Sequence, residues 1–180
     1  MESQNFEILR EKWPYLADLG AFAERYVYDD PSSSLVKLRS FIEEILLWVY
    51  DAAQLEKPYQ ANLYDLLADI KDKGLFKPVI LDKFHHIRLL GNKAAHGLKA
   101  TTDEASRALQ DAFDLARWLF VASGVGKAAD CPHYVTPKQH PPDQAALLAA
   151  KEDELQKILE QLAEERKKTK AAEREVEELK

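Results

Sequence analysis

The sequence contains one cysteine, Cys131, and six glycines in 180 residues. A single cysteine excludes an internal disulfide framework and fits a reducing compartment. No apolar run approaches the roughly 18–20 residues that span a bilayer. The opening stretch MESQNFEILREK has acidic residues and no apolar signal-peptide core. We therefore expect a cytoplasmic protein that makes no membrane contact.

Basic residues are outnumbered by acidic ones. The chain has 25 lysines and arginines against 31 aspartates and glutamates, and its formal net charge is −6. Modules dedicated to nucleic acid usually carry a basic stripe that releases counterions from phosphates. This composition excludes such a surface over the whole molecule and is compatible only with a local basic patch.

What the sequence does contain is helical periodicity. Apolar residues recur at helical spacing with few β-branched clusters, which predicts an all-α protein. Five segments carry the pattern: 13–30, 31–54, 62–74, 78–97 and 101–124. Serines after Pro31, an asparagine cap at Asn62 and a capping box from Thr101 are the expected helix starts. Gly91 is expected to interrupt or loosen the fourth helix, and Gly97 to close it.

A change of composition marks the end of the predicted bundle, which we place at residues 1–123. Residues 124–144 begin with GVGKAADCPHYVTPKQHPPD, whose four prolines and two glycines predict a linker or an ordered arm. Beyond them leucines recur every seven residues: Leu148, Leu155 and Leu162. This spacing predicts a long helix with coiled-coil heptads over 145–180, with a solvated single helix as the alternative. Because the heptads continue to the last residue, we expect the sequence to be cut from a larger polypeptide.

The fourth segment carries three polar residues spaced by four, Arg88, Asn92 and His96. Steps of four residues keep side chains on one side of a helix. Arginine supplies a fixed positive fork, asparagine a donor and an acceptor, and histidine a group that changes charge near neutral pH. Such a row suits binding of a phosphodiester, or its cleavage without a metal. In the structural alternative, Arg88 pairs with Glu43 or Glu44 of the second helix.

No metal site is expected. His85 and His86 cannot both face the same side of a helix. Cys131, His133 and His140 are suitable ligand types, but they number three and lack the spacing of a zinc finger or ribbon. We therefore expect these 180 residues to bind no cofactor of their own.

Two blocks of the sequence, WPYLADLGAFAERYVYDDPSSSLVKLRSFIE and IRLLGNKAAHG, carry a resemblance to a known family. Over residues 5 to about 120 they are similar to the N-terminal domain of type I restriction enzyme R subunits and related helicase-like defence proteins. The resemblance implies a HEPN-like helical bundle within a larger site-specific deoxyribonuclease with ATPase and translocase activity. ATP and Mg would serve that parent protein. The implied partners are other restriction-modification subunits or the protein's own downstream domains, with nucleic acid and a homodimer as further candidates.

The HEPN superfamily includes dimeric, metal-independent ribonucleases, which carry an arginine and a histidine with four to six residues between them and commonly a polar residue after the arginine. In this sequence seven residues separate Arg88 from His96, and Leu89 follows the arginine. Two main hypotheses result. In the first, the chain is a non-catalytic accessory or recognition module, and Arg88, Asn92 and His96 form a binding face. In the second, it is a HEPN-type ribonuclease in which these residues are catalytic; a third hypothesis is an oligomerisation adaptor.

Overall fold

The computed structural model describes residues 2–139, which belong to the first of two units, Met1–Gln139 and His140–Lys180. The described residues form five α-helices and no strand, which confirms the all-α prediction. The helices are α1 Pro14–Tyr26, α2 Pro31–Ala52, α3 Leu63–Asp72, α4 Pro78–Ala95 and α5 Thr102–Ala122. None of them is long and apolar enough to cross a membrane. The predicted heptad helix at 145–180 lies outside the described residues.

The helix starts follow local chemistry, with one correction. Asn62 caps α3, and Thr101 opens a capping box at α5, as predicted. The predicted serine caps of α2 are wrong, because the side chain of Asp30 accepts a hydrogen bond from the backbone N–H of Ser33. An aspartate directly before a proline at the first helical position already satisfies the cap, so the serines are not needed there. The buried hydroxyl of Ser34 instead donates to the carbonyl oxygen of Ala23 in α1, at 2.8 Å.

The long helix α2 lies at the centre of the bundle, with α1, α4 and α5 packed against it and α3 touching its end. Its inner face consists of apolar side chains at helical spacing, which are fully or almost fully buried: Leu35, Leu38, Phe41, Ile42, Ile45, Leu46 and Val49. Burial of that stripe is the main stabilising contribution to the fold, since apolar area removed from water is worth about 25 cal/mol per Å². The core is thus arranged around one amphipathic helix.

Gly91 does not loosen α4, contrary to our prediction, because the helix continues through it to Ala95. The glycine instead allows α2 and α4 to approach closely. A Cβ atom at position 91 would lie 2.5 Å from Cβ of Arg39 and 3.1 Å from the carbonyl oxygen of Leu35. Gly97 does follow the end of α4, with a positive φ of 76°. The fourth helix is therefore regular where the row of polar residues lies.

The segment after α5 returns over the bundle. Asn5, which is fully buried, donates from Nδ2 to the carbonyl oxygen of Val135 at 2.8 Å and accepts from the backbone N–H of Val135 at 2.8 Å. The ring of Tyr134 lies 5.3 Å from that of Phe113 in α5. The sequence left open whether this stretch is a linker or an ordered arm, and residues 131–139 form an ordered arm. The domain boundaries stay predictions.

Candidate functional site

The helix α4 presents three different sides to its surroundings. Its buried side faces the core and consists of Leu81, Phe84, Ile87, Gly91 and Ala94. The opposite side is exposed and includes Leu89 and His96. Arg88 and Asn92 are half-buried between these two sides. Arg88 and Asn92 of the predicted row therefore lie at the border between core and solvent, and His96 lies on the exposed side.

The guanidinium of Arg88 stacks on an aromatic ring. Its Cζ lies 5.2 Å from the ring centroid of Tyr64, which belongs to α3 and is 55% exposed. The Nε atom of Arg88 is buried and has no hydrogen-bond partner within residues 2–139. Among residues 2–139 no carboxylate forms an ion pair with Arg88, so the predicted pairing with Glu43 or Glu44 is wrong. A cation over a tyrosine face contributes about 0.5–1 kcal/mol at a partly exposed site.

His85 also lies near Tyr64 and forms a cluster with Tyr64 and Arg88. Its ring centroid lies 6.4 Å from that of Tyr64. Burial, followed by the positive charge of Arg88, lowers the pKa of His85 below its usual range. Both causes disfavour the protonated imidazole. At neutral pH the surface around Tyr64 thus combines one fixed cation with one neutral imidazole.

Arg88 and His96 are not brought together within one chain. Eight residues of regular helix separate their backbones by about 12 Å. The side chain of Arg88 reaches Tyr64, whose other neighbour is His85, so it points toward the start of α4. His96 lies at the C-cap of α4 and is exposed. Asn92, between them, makes no side-chain hydrogen bond to any of residues 2–139, and no deformation at Gly91 shortens the row.

A second polar cluster, which sequence reasoning missed, joins α4 to α5. The Nζ of Lys83 lies 2.6 Å from Asp111 and 2.8 Å from Asp114, and Nδ1 of His86 lies 2.6 Å from Asp111. Burial alone would lower the pKa of Lys83, but the hydrogen bonds to Asp111 and Asp114 outweigh it and raise that pKa. These partners are 25 to 31 residues apart in sequence, so no local pattern indicates the cluster. His85 and His86 therefore face opposite neighbours, α3 and α5, as expected for adjacent helical residues.

Two other residues considered for metal binding, Cys131 and His133, lie in the arm. Cys131 is partly buried, His133 is exposed, and His140 lies outside the described residues. Within residues 2–139 no group of three or more histidines, cysteines, aspartates or glutamates is arranged to hold a metal ion. Two polar clusters therefore stay as candidates for a functional site: Arg88 with its neighbours, and the cluster between α4 and α5.

Comparison with known proteins assigns the class of the chain. A model of the domain of unknown function DUF4145 matches residues 22–120, which is more than half of the chain. The chain therefore belongs to the DUF4145 family. The matched region runs from α1 to α5, and Arg88, Asn92 and His96 lie inside it.

A particular relative has a named role. The type I restriction enzyme EcoKI endonuclease subunit of Escherichia coli (strain K12) is 30% identical over 120 residues. These residues cover 67% of this chain and 10% of the relative, so the chain spans about a tenth of that protein's length. No solved structure matches the chain. The similarity to a restriction endonuclease subunit, predicted from the two sequence blocks, is confirmed.

Proposed function

We propose that the chain is a non-catalytic accessory module of a type I restriction R subunit or of a related DNA-processing defence protein. The observation that carries the proposal is its 30% identity over 120 residues to the EcoKI endonuclease subunit. In this proposal the bundle has a HEPN-like fold, and its partners are other restriction subunits or downstream domains. Nuclease and translocase chemistry, with ATP and Mg, belongs to the remainder of the parent protein.

The geometry of α4 favours binding over acid–base catalysis. A general base and a charge-stabilising arginine must reach the same phosphate, because effective catalysis needs both groups within hydrogen-bonding distance of the reacting atoms. Arg88 is directed toward Tyr64 and away from His96, which lies about two helical turns further along α4. One chain alone therefore offers a cationic, aromatic surface without an assembled catalytic pair.

That surface suits a nucleic acid ligand. Tyr64 is more than half exposed, and Arg88 holds a positive charge at its ring face. Proteins bind single strands by stacking bases on aromatic rings and by placing cations near phosphates. Asn92, one turn further along α4, and the exposed His96 at its C-cap add side chains that can form hydrogen bonds. We assign these residues the role of a recognition face within the accessory module.

The test is fluorescence anisotropy of labelled single-stranded DNA, duplex DNA and RNA with the full chain at low salt. Removal of Arg88 by Arg88→Ala should weaken binding about two- to fivefold, since a cation stacked on an aromatic ring at a partly exposed site contributes about 0.5–1 kcal/mol. Arg88→Lys should recover part of the loss, because it keeps the charge without the planar stacking group. The matched control is Arg107→Ala, which removes an exposed arginine from α5. Equal affinities for Arg88→Ala and Arg107→Ala would contradict the assignment.

A HEPN-type ribonuclease is the second candidate, and one observation favours it. His96 is exposed at the end of α4, where a second copy of the chain has access to it. In a dimer, Arg88 of one copy would stabilise the charge on the phosphate, and His96 of the other would take the proton of the attacking 2′-hydroxyl or give a proton to the leaving oxygen. RNA cleavage by the purified chain separates this function from the first.

A further inference from the structure

An aromatic groove lies on a different side of the bundle, between the start of α1 and the C-terminal half of α2. Its volume is about 370 Å³. Its walls include aromatic rings and charged side chains: Trp13, Tyr15, Trp48, Glu44, Asp51 and Lys57. Tyr15 is 58% exposed, so an apolar surface is open to solvent here. The groove shares no residue with the recognition face on α4.

Two indole rings form a fixed corner inside this groove. The ring centroids of Trp13 and Trp48 are 5.5 Å apart, and their planes are nearly perpendicular at 89°. Trp13 is buried and belongs to the hydrophobic core, which holds its orientation. The π face of an indole ring is negative and attracts a cation placed over it. The corner is therefore suited to a cation.

A cation of the chain itself already occupies the corner. The Nζ of Lys12 lies 5.0 Å from the ring centroid of Trp13 and 5.9 Å from that of Trp48. Both distances are within the range of a cation–π interaction. Lys12 is exposed and stands before α1 on a flexible four-carbon side chain. Its ammonium can leave the corner without disturbing the core.

The charge of the α2 wall points to the same class of ligand. Between residues 40 and 52 this helix carries three carboxylates, Glu43, Glu44 and Asp51, and no lysine or arginine. Within the described part of the chain neither Glu44 nor Asp51 forms an ion pair. Carboxylates beside an aromatic face attract a cationic side chain and repel phosphate. Lys57, which also lines the groove, is exposed.

We propose that this groove binds a lysine or arginine side chain from a basic segment of a partner protein. The incoming cation takes the corner between Trp13 and Trp48 and displaces the ammonium of Lys12. Glu44 and Asp51 pair with it or with a neighbouring basic residue. The inference goes beyond the accessory function proposed above, and it concerns a surface separate from Arg88.

The probe for this site is fluorescein-labelled hexalysine, with labelled hexaglutamate as the comparison peptide, titrated into the full chain by anisotropy. The double variant Glu44→Gln/Asp51→Asn should bind hexalysine at least about threefold more weakly, the expected loss for two partly exposed ion pairs. The matched control is Asp29→Asn/Asp103→Asn, which removes the same charge at exposed positions outside the groove. That control should retain the wild-type affinity within about twofold.

Removing the internal competitor gives the sharper result. Lys12→Met should bind hexalysine about two- to threefold more tightly than wild type, because the corner no longer has to be vacated. A loss of affinity that is equal in the groove and control double variants would overturn the proposal, as would weaker binding by Lys12→Met. Arg88→Ala should bind hexalysine like the wild type. Failure of this inference is therefore distinguishable from failure of the proposed nucleic-acid face.

Discussion

Replacing Asn5 with alanine removes the side chain that joins the N-terminal segment to the arm after α5. Its amide donates to Val135 at 2.8 Å and to Glu24 at 3.1 Å, and it accepts from the backbone N–H of Val135 at 2.8 Å. Each such bond contributes a net of about 0.5–1.5 kcal/mol. Because Asn5 is fully buried and all three bonds are lost, we expect Asn5→Ala to lower the free energy of unfolding by about 2–4 kcal/mol.

The assay is urea unfolding of the full chain followed by circular dichroism. With a slope near about 2 kcal/mol per molar urea, the expected loss lowers the midpoint by about 1–2 M. The matched control is Asn92→Ala, because Asn92 is half-buried and makes no side-chain hydrogen bond to residues 2–139. Its stability should change by less than about 0.5 kcal/mol.

Proteolysis provides a second readout for Asn5. Release of the arm exposes Tyr134, which packs on Phe113 in the native chain. Chymotrypsin should therefore cut after Tyr134 faster in Asn5→Ala than in the wild type. Equal urea midpoints for Asn5→Ala and Asn92→Ala, with unchanged cleavage, would refute the reasoning. The arm would then contribute nothing to the folded unit.

Three further predictions concern packing and pH. Gly91→Ala should destabilise the chain by about 1–2 kcal/mol, because its Cβ would lie 2.5 Å from that of Arg39 and the strain exceeds the helix-propensity gain; a higher urea midpoint would contradict this. Tyr50→Phe should cost about 1–2 kcal/mol, since the buried hydroxyl donates to Asp69 at 2.7 Å, and unchanged stability would count against it. Burial raises the pKa of Tyr134 from 10.0 to about 12, so its stabilising contribution is complete below pH 10 and is lost as pH rises through about 12. The difference between the urea midpoints at about pH 9 and about pH 11 should therefore be smaller in Tyr134→Phe than in the wild type. An equal difference in the two proteins would exclude this origin of the pH dependence.

Local signals were sufficient to predict most of the helices. The caps at Asn62 and Thr101 were predicted correctly because a capping side chain bonds to backbone within three residues. The cap of α2 was misassigned to serines because three of them follow Pro31, whereas Asp30 precedes it and fills the same role. Where residues on both sides of a proline can form the capping hydrogen bond, their positions in the sequence alone do not show which one forms it.

Contacts between distant segments were not predictable in the same way. A glycine within a helical segment usually indicates a break. Gly91 instead allows α4 to pack closely against Arg39 and Leu35 of α2, which lie more than fifty residues earlier in the sequence. The structural alternative paired Arg88 with a glutamate of α2, whereas Arg88 stacks on Tyr64 of α3. The helical periodicity indicates which side of α4 is polar. It does not indicate that α3 packs beside that side and supplies Tyr64.

The measurement that tests the account most directly is cleavage of labelled single-stranded RNA by the purified chain in the presence of EDTA. Wild type, Arg88→Ala and His96→Ala should be compared at matched folded fractions. The accessory-module account predicts that none of the three cleaves RNA, since Arg88 and His96 point apart on a regular helix. Cleavage by the wild type that is lost in both variants would contradict it and establish a metal-independent ribonuclease.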